Sequence, residues 1–122
     1  IEDALADIRA EPFSVTVTGV SGNNPKRPRV VWANVKDNGE CTAVQARVAD
    51  VLLRFGVEKE GRPYTPHVTI ARVKEFDPSL LLRITEVSGT VFGSCRITGF
   101  TLKKSVLGPG GARYEDLMGV SF

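Results

Sequence analysis

The feature that most constrains the fold is a set of short segments in which β-branched residues alternate with others. Residues 13–18 read FSVTVT, and residues 30–35 read VVWANV. Because side chains in a strand point to opposite faces in turn, this pattern predicts two half-buried strands. Residues 19–29 hold two Asn, two Gly and two Pro, which is typical of the connection in an antiparallel pair. A third strand is expected over residues 65–73, with Pro66 at its start or on a sheet edge, because proline donates no hydrogen bond.

Helical signals separate these strands. Asp37 and Glu40 fit a capping box, and the apolar stripe after them predicts a helix that stops at Gly56. The other expected elements are a helix over residues 1–9, a helix from Asp77 and Pro78 to Gly89, and strands over residues 95–107 and 114–122 joined by a turn at residues 108–111. This order predicts an α+β fold with small, largely antiparallel sheets flanked by helices.

The composition places the chain among ordinary globular proteins. Its 122 residues suit one domain, with 42% hydrophobic and 25% charged residues. The sequence contains no run of about 18 apolar residues, so a membrane span is not expected. A net charge of +2 does not mark a nucleic-acid binder, although residues 26–29 form a basic cluster. The two cysteines suit a reducing cytosol, and we expect a cytoplasmic protein.

The expected strand at residues 65–73 holds the only histidine of the chain, His67. Strand alternation puts His67 and Thr69 on one face and directs Val68 and Ile70 into a core. An imidazole beside a hydroxyl can bind an anion and transfer protons near neutral pH. This segment is therefore the best candidate for a catalytic site.

Two points weaken that interpretation when the residues are taken alone. Arg72 is a cation suited to phosphate, but strand parity puts it on the face opposite His67 unless the strand ends or bulges near Ala71. A lone histidine on a strand is also more often structural than catalytic. Acid–base cleavage of a phosphodiester usually needs two proton-transfer groups, and this segment offers one.

Other chemistry finds little support in the sequence. With one histidine and no metal-binding spacing of cysteines, we expect neither a metal nor a cofactor. The glycines of residues 108–111 lack the Lys-Ser/Thr of a phosphate loop. Cys41 has no evident activating base, which argues against a thiol nucleophile. Aromatic residues at the spacing of Trp32, Phe100 and Tyr114 more often belong to a core than to a base-stacking surface.

Residues 66–72, PHVTIAR, resemble the second His-x-Thr motif of the two-histidine phosphoesterases, in particular the RNA 2′,3′-cyclic phosphodiesterase branch, also called LigT or 2′-5′ RNA ligase. Residues 30–33 resemble the strand before that family's central helix. Residues 102–107, followed by residues 110–115, resemble its C-terminal hairpin. The resemblance implies a bilobal fold in which each lobe has a small antiparallel sheet and offers one His-x-Thr to a shared cleft.

The first His-x-Thr of that family has no counterpart in these 122 residues. We therefore expect a single LigT-like phosphoesterase domain over residues 1–122 that is incomplete at its N-terminus and lacks the N-terminal strands. The other His-x-Thr would come from a preceding segment or from a second chain.

The resemblance implies metal-independent hydrolysis of RNA 2′,3′-cyclic phosphate ends to 2′-phosphates. One histidine would act as the base on water, and the other would protonate the departing ribose oxygen. His67 would be one of the pair, in a role that stays open, with Thr69 as a phosphate ligand. Arg72 would stabilise the charge of the phosphorane. Ser105 and Tyr114 are further substrate-binding candidates.

Two alternatives remain open. The same chemistry in reverse would make the protein a 2′-5′ RNA ligase that joins tRNA halves. A non-catalytic RNA-binding module or partner subunit would leave His67 with a structural role. In each case the expected partner is RNA, with no membrane.

Overall fold

The computed structural model describes residues 1–122 as three helices and six strands. In chain order these are α1 (Glu2–Ala6), β1 (Phe13–Gly22), β2 (Val30–Lys36), α2 (Glu40–Leu53), β3 (His67–Arg72), α3 (Ser79–Glu86), β4 (Val91–Ile97), β5 (Gly99–Gly108) and β6 (Gly111–Ser121). Four strands form an antiparallel sheet in the order β3-β2-β1-β4, and β5 pairs with β6 in a separate hairpin. The predicted α+β fold with small antiparallel sheets is confirmed.

The expected single strand over residues 95–107 was wrong, because the chain changes sheet within it. β4 pairs with β1, whereas β5 begins at Gly99 and pairs with β6. Between them, the carbonyl of Thr98 accepts a hydrogen bond from the backbone N–H of Phe122 (2.8 Å). A Cβ on Gly99 would collide with the carbonyl oxygen of Val120, so the close crossing requires glycine. The apolar pattern of the sequence does not mark this change of partner.

β1 extends four residues beyond its predicted end at residue 18. Its register with β2 shifts between Val17 and Val20, and Gly19 adopts a φ of +70°. A Cβ on Gly19 would also lie 2.9 Å from the carbonyl oxygen of Ser88. The break in alternation is therefore a bulge inside the strand, where only glycine fits, and not the end of the strand.

α2 is capped by the residues that the sequence indicated. The carboxylate of Asp37 accepts hydrogen bonds from the backbone N–H groups of Gly39 and Cys41, both at 2.8 Å. Glu40 accepts one from the N–H of Asn38 (2.6 Å). The helix begins after Gly39, which adopts a φ of +96°, and it ends three residues before the predicted glycine stop. Relative to the helix start, the two carboxylates thus lie two residues earlier than in a standard capping box.

The other helices also lie where they were predicted. α1 falls within residues 1–9, and α3 begins directly after Pro78. The carboxylate of Asp77 accepts a hydrogen bond from the N–H of Ser79 (2.9 Å). None of the three helices has the length and apolarity needed to cross a bilayer.

Most of the buried side chains form two groups. Leu5, Ile8 and Val51 form a cluster between α1 and α2, against which the partly buried Phe100, Leu102 and Met118 of the hairpin pack. The buried residues of the four-stranded sheet are Phe13, Val15, Val31 and Ala33. These two groups fix the hairpin against α1 and α2 and give the sheet one apolar face.

The prediction that Val68 and Ile70 point into a core was wrong. Their exposed fractions are 51% and 57%. β3 pairs only with β2, so it is an edge strand. Val68 faces the same side as its buried partner Ala33, but cover by neighbouring side chains decreases toward the sheet edge. An apolar pattern therefore marks the face of a strand without guaranteeing its burial.

Candidate active site

His67 is the first residue of β3, and the backbone fixes its ring. Its Nδ1 lies 2.7 Å from the carbonyl oxygen of Thr65. Because a carbonyl oxygen only accepts hydrogen bonds, Nδ1 carries the proton and Nε2 is the nitrogen free to meet a substrate. Pro66 favours an extended Thr65, and its own carbonyl accepts a hydrogen bond from the N–H of Val35 (3.4 Å). The turn before His67 is thereby tied to β2.

Two side chains of β2 support the imidazole. The rings of Trp32 and His67 lie 4.8 Å apart between centroids, at an interplanar angle of 42°. The indole Nε1–H of Trp32 donates to Oδ1 of Asn34 (3.2 Å), and Asn34 is the register partner of His67. The indole is thus itself held in place. Sequence analysis assigned Trp32 to a core and did not single out Asn34.

A bulge in β3 changes the strand parity beyond Thr69. Trp32 pairs with Thr69, but the next residue of β2, Val31, pairs with Ala71. Ile70 is therefore the additional residue of β3. An extra residue in one strand reverses the alternation of the side chains that follow it, relative to a regular strand.

The bulge brings Arg72 to the face that carries His67. Arg72 pairs with Val30, and cross-strand partners share a face. Val30 lies on the same face of β2 as Trp32, the partner of Thr69. His67, Thr69 and Arg72 therefore share one face. Strand parity alone would put Arg72 on the face opposite His67, but the bulge near Ala71 that the sequence analysis named as the exception is present.

This face of the four-stranded sheet, which we call the polar face, combines hydroxyls, amides and cations. The registers assign to it Ser14, Thr16, Trp32, Asn34, Lys36, His67, Thr69, Arg72, Ser94 and Arg96. None of the 14 acidic residues of the chain lies in the four strands. The polar face is therefore cationic, although the net charge of the whole chain is only +2. It favours an anionic ligand.

A second group of titratable residues lies where β2 leads into α2. Hydrogen bonds from the Cys41 thiol, and then from the backbone N–H groups of Cys41 and Gly39, lower the pKa of Asp37. Burial, followed by the neighbouring Asp37 and Glu40 charges, raises the pKa of Cys41 to about 12. Burial also raises the pKa of Tyr64. Cys41 is thus a protonated thiol at neutral pH, as expected for a residue without a nucleophilic role.

Ser105 and Tyr114 lie in the other sheet. They are register partners on the β5–β6 hairpin, and both are exposed. The structure brings them together with each other, but it assigns neither of them to the polar face. Their role in substrate binding stays a prediction.

The structure contains no cluster of side chains that could ligate a metal ion. No three His, Cys, Asp or Glu side chains lie close enough together to hold a metal ion, and Cys41 and Cys95 are both free thiols. The polar face carries one imidazole and no carboxylate, which is a poor set of ligands for a divalent cation.

Residues that sequence analysis missed on the polar face include Asn34, Lys36 and Arg96, together with Trp32 in its role beside His67. Strand parity could have placed Asn34 and Lys36 on the same face of β2 as Trp32. Arg96 could not have been found in this way, because the sequence does not show that β4 pairs with β1.

An antiparallel α+β fold with a His-x-Thr strand on a cationic sheet face defines the class of this protein. The chain belongs to the 2′-5′ RNA ligase superfamily, whose family model matches residues 1–103. The resemblance carried by residues 66–72 is therefore confirmed.

Relatives of known name agree with this assignment. The chain is 35% identical over 118 residues to the RNA 2′,3′-cyclic phosphodiesterase of Archaeoglobus fulgidus, covering 96% of this chain and 66% of that protein. It is 34% identical over 121 residues to the enzyme of the same name from Aeropyrum pernix, covering 96% of this chain and 69% of that protein. The chain thus spans about two thirds of the length of these relatives.

A solved structure supports the fold. The crystal structure of a Thermus thermophilus protein, TT0787, matches with a TM-score of 0.69 and 29% identity, covering 96% of this chain and 63% of that one. The agreement extends over nearly all of the elements described above.

Proposed function

We propose that the protein is an RNA 2′,3′-cyclic phosphodiesterase that opens cyclic phosphate ends to 2′-phosphates. The observation that carries this proposal is the common placement of His67, Thr69 and Arg72 on one cationic sheet face. Relatives that share 35% and 34% identity with the chain bear the name of this activity. A metal-free reaction suits a face that offers an imidazole, a hydroxyl and a guanidinium.

In the proposed reaction, each of these groups has a role. Water attacks the phosphorus, the bond from phosphorus to the 3′-oxygen breaks, and the 3′-oxygen leaves with a proton. Nε2 of His67 is the atom that takes a proton from the water or gives one to the 3′-oxygen, since Nδ1 is engaged by Thr65. The hydroxyl of Thr69 and the guanidinium of Arg72 stabilise the negative charge on the non-bridging oxygens, which is greatest in the transition state.

The reaction needs an acid and a base, and the polar face supplies one imidazole. We propose that a second His-x-Thr faces His67 across the polar face. It would belong to a segment outside these 122 residues or to a second chain. Residues 1–122 would then be one part of a LigT-like phosphoesterase domain. Ser105 and Tyr114, which share one face of the hairpin, would contact the RNA near the terminal base.

A second candidate function is RNA joining through a 2′-5′ linkage, which the name of the superfamily favours. In this reaction a ribose hydroxyl takes the place of water. Incubation of paired tRNA halves distinguishes the two, because a ligase yields a joined product and a hydrolase yields only a 2′-phosphate end. The use of tRNA and a cytoplasmic location remain parts of the proposal.

The proposal is tested with His67→Ala in the complete protein. Loss of one general acid–base group lowers turnover of an RNA cyclic phosphate by about 100- to 10,000-fold. The control is Arg83→Ala, an exposed change on α3 that leaves the polar face intact. Turnover by His67→Ala equal to that of the unchanged protein would contradict the proposal.

A further inference from the structure

A basic cleft lies beyond the end of β3 that is far from His67. It has a volume of about 380 Å³ and is lined by Arg27, Pro28, Arg29, Val73, Lys74 and Phe76. Three of these six residues are cations, and none of the three takes part in an ion pair. Glu75 is not among the lining residues. Cations without an internal partner are available to an external anion.

The loop that carries the two arginines is held in one conformation. The side chain of Asn24 accepts hydrogen bonds from the N–H groups of Lys26 (2.9 Å) and Arg27 (3.1 Å). The side chain of Asn23 accepts one from the N–H of Arg29 (2.8 Å). Pro28 is fully buried. Because the loop is ordered before any ligand arrives, binding there loses little conformational entropy.

The cleft also contains an aromatic surface. The guanidinium carbon of Arg27 lies 5.2 Å from the centroid of the Phe76 ring. A guanidinium stacked on an aromatic ring is a cation–π pair. A nucleobase can stack on either of these two planar groups. Inorganic phosphate would contact only the cations of the cleft. A ligand that carries both phosphates and planar bases would contact the cations and the aromatic ring. Single-stranded RNA is such a ligand.

The cleft lies at the end of the strand that also carries His67 and Arg72. The N–H of Val73 donates to the carbonyl of Arg29 (2.8 Å), so the cleft begins where the β2–β3 ladder ends. From His67 to this point the strand covers six residues, or about 20 Å at ~3.3 Å per residue. Arg72 lies between the two. A stacked strand carries a phosphate every ~3.4 Å, so about six nucleotides bridge the distance.

We propose that the basic cleft binds the RNA strand several nucleotides upstream of the cyclic phosphate. The preferred substrate is then an RNA strand of about six or more nucleotides, not a cyclic mononucleotide. This inference rests on the proposed function, because the RNA end must lie at His67 for the upstream strand to reach the cleft.

The test uses the complete protein and two substrates, a decanucleotide and a dinucleotide, each ending in a 2′,3′-cyclic phosphate. The variant is Arg29→Gln with Lys74→Gln, because neither side chain makes an ion pair that the change would break. We expect KM for the decanucleotide to rise about tenfold or more, as for the loss of charged hydrogen bonds. The kinetics of the dinucleotide stay unchanged. The matched control, Arg54→Gln with Arg83→Gln, removes two exposed cations elsewhere and changes neither substrate.

Several results would overturn the inference. One is an equal KM of variant and unchanged protein for the decanucleotide while the dinucleotide is still hydrolysed, which leaves the proposed function standing. Another is a similar loss for both substrates, which would place the effect at the catalytic site. Heparin that competes as well as an unreactive RNA decanucleotide would reduce the cleft to a general polyanion surface. If the unchanged protein hydrolyses neither substrate, the proposed function itself fails.

Discussion

His67 has a defined orientation because two neighbours restrict its ring and a third holds one of them. The carbonyl of Thr65 fixes the proton on Nδ1, and the indole of Trp32 packs beside the imidazole. Asn34 in turn holds the indole. In the proposed mechanism, an imidazole held in this way needs little reorganisation when the substrate binds.

Replacement of Trp32 by leucine tests this support. We expect Trp32→Leu to lower kcat by about ten- to a hundredfold, because the imidazole loses its packing partner and samples unproductive orientations. KM changes little, since Thr69 and Arg72 remain. Steady-state kinetics on an RNA cyclic phosphate measure both constants.

The conservative variant Trp32→Phe serves as the control, because it keeps an aromatic ring against His67. It should retain most of the turnover. A Trp32→Leu protein that melts normally and has an unchanged kcat would show that the indole does not position the histidine.

At the scale of elements, the bulge in β3 decides which side chains share the face of His67. Ile70 is the additional residue, and because the bulge absorbs it, Arg72 shares a face with His67. The side chain of Ile70 is mostly exposed, so its packing does not hold the bulge in place.

Deletion of Ile70 tests this account of the strand. Without the additional residue, Arg72 follows His67 by four positions, and regular alternation keeps both side chains on one face. We therefore expect the deletion to retain most of kcat/KM, whereas Arg72→Ala lowers it about a hundredfold. The matched control is Ile70→Ala, which shortens the side chain and keeps the bulge. A loss in the deletion variant as large as that of Arg72→Ala would contradict this account.

The cap of α2 is the element with a pH-dependent contribution to stability. Hydrogen bonds from Cys41 and Gly39 lower the pKa of Asp37 in the folded state. The unfolded state therefore binds the proton more tightly, so the stabilisation is complete above the usual carboxyl pKa of 3.8 and is lost as the pH falls through the lower, folded value.

We expect Asp37→Ala to lower the free energy of unfolding by about 1 kcal/mol at pH 7. The difference from the unchanged protein should shrink as the pH is lowered below about 3.8. Denaturant unfolding at pH 7 and at acidic pH measures it, with Glu58→Ala, an exposed loop change, as the control. A difference that is independent of pH would contradict a role for the ionised carboxylate.

At the scale of the whole molecule, charge is distributed unevenly. All 14 acidic residues lie outside the four-stranded sheet, whereas Lys36, Arg72 and Arg96 lie on its polar face. This separation gives a cationic surface to a protein whose net charge is only +2.

Binding of a short RNA should therefore depend on salt. For a trinucleotide cyclic phosphate, which does not reach the basic cleft, three cation–phosphate contacts predict a slope of log K against log salt of about −2. Arg96→Gln should reduce its magnitude by about 0.7. Fluorescence anisotropy at several salt concentrations measures the slope, and Arg54→Gln is the control. A slope that Arg96→Gln leaves unaltered would exclude this contact.

Sequence patterns predicted correctly those features that depend on interactions between neighbouring residues. The caps at Asp37 and Asp77 follow from which side chains can accept from a helix terminus, and both were predicted. The common face of His67 and Thr69 follows from two-residue alternation and holds in the structure. Burial of Val68 and Ile70 was predicted wrongly, because it depends on how many strands and side chains surround β3.

The sequence by itself determined the α+β class, the helix termini and the His-x-Thr strand, since these depend on interactions between residues near one another in the chain. Only the tertiary structure decided that Arg72 joins His67, that Arg96 reaches the polar face, and that the chain changes sheet at Gly99. These three features depend on strand register and on contacts between distant segments. A one-residue bulge moves the side chains that follow it to the other face of the sheet. The conformational preferences of a segment do not determine which strand it pairs with.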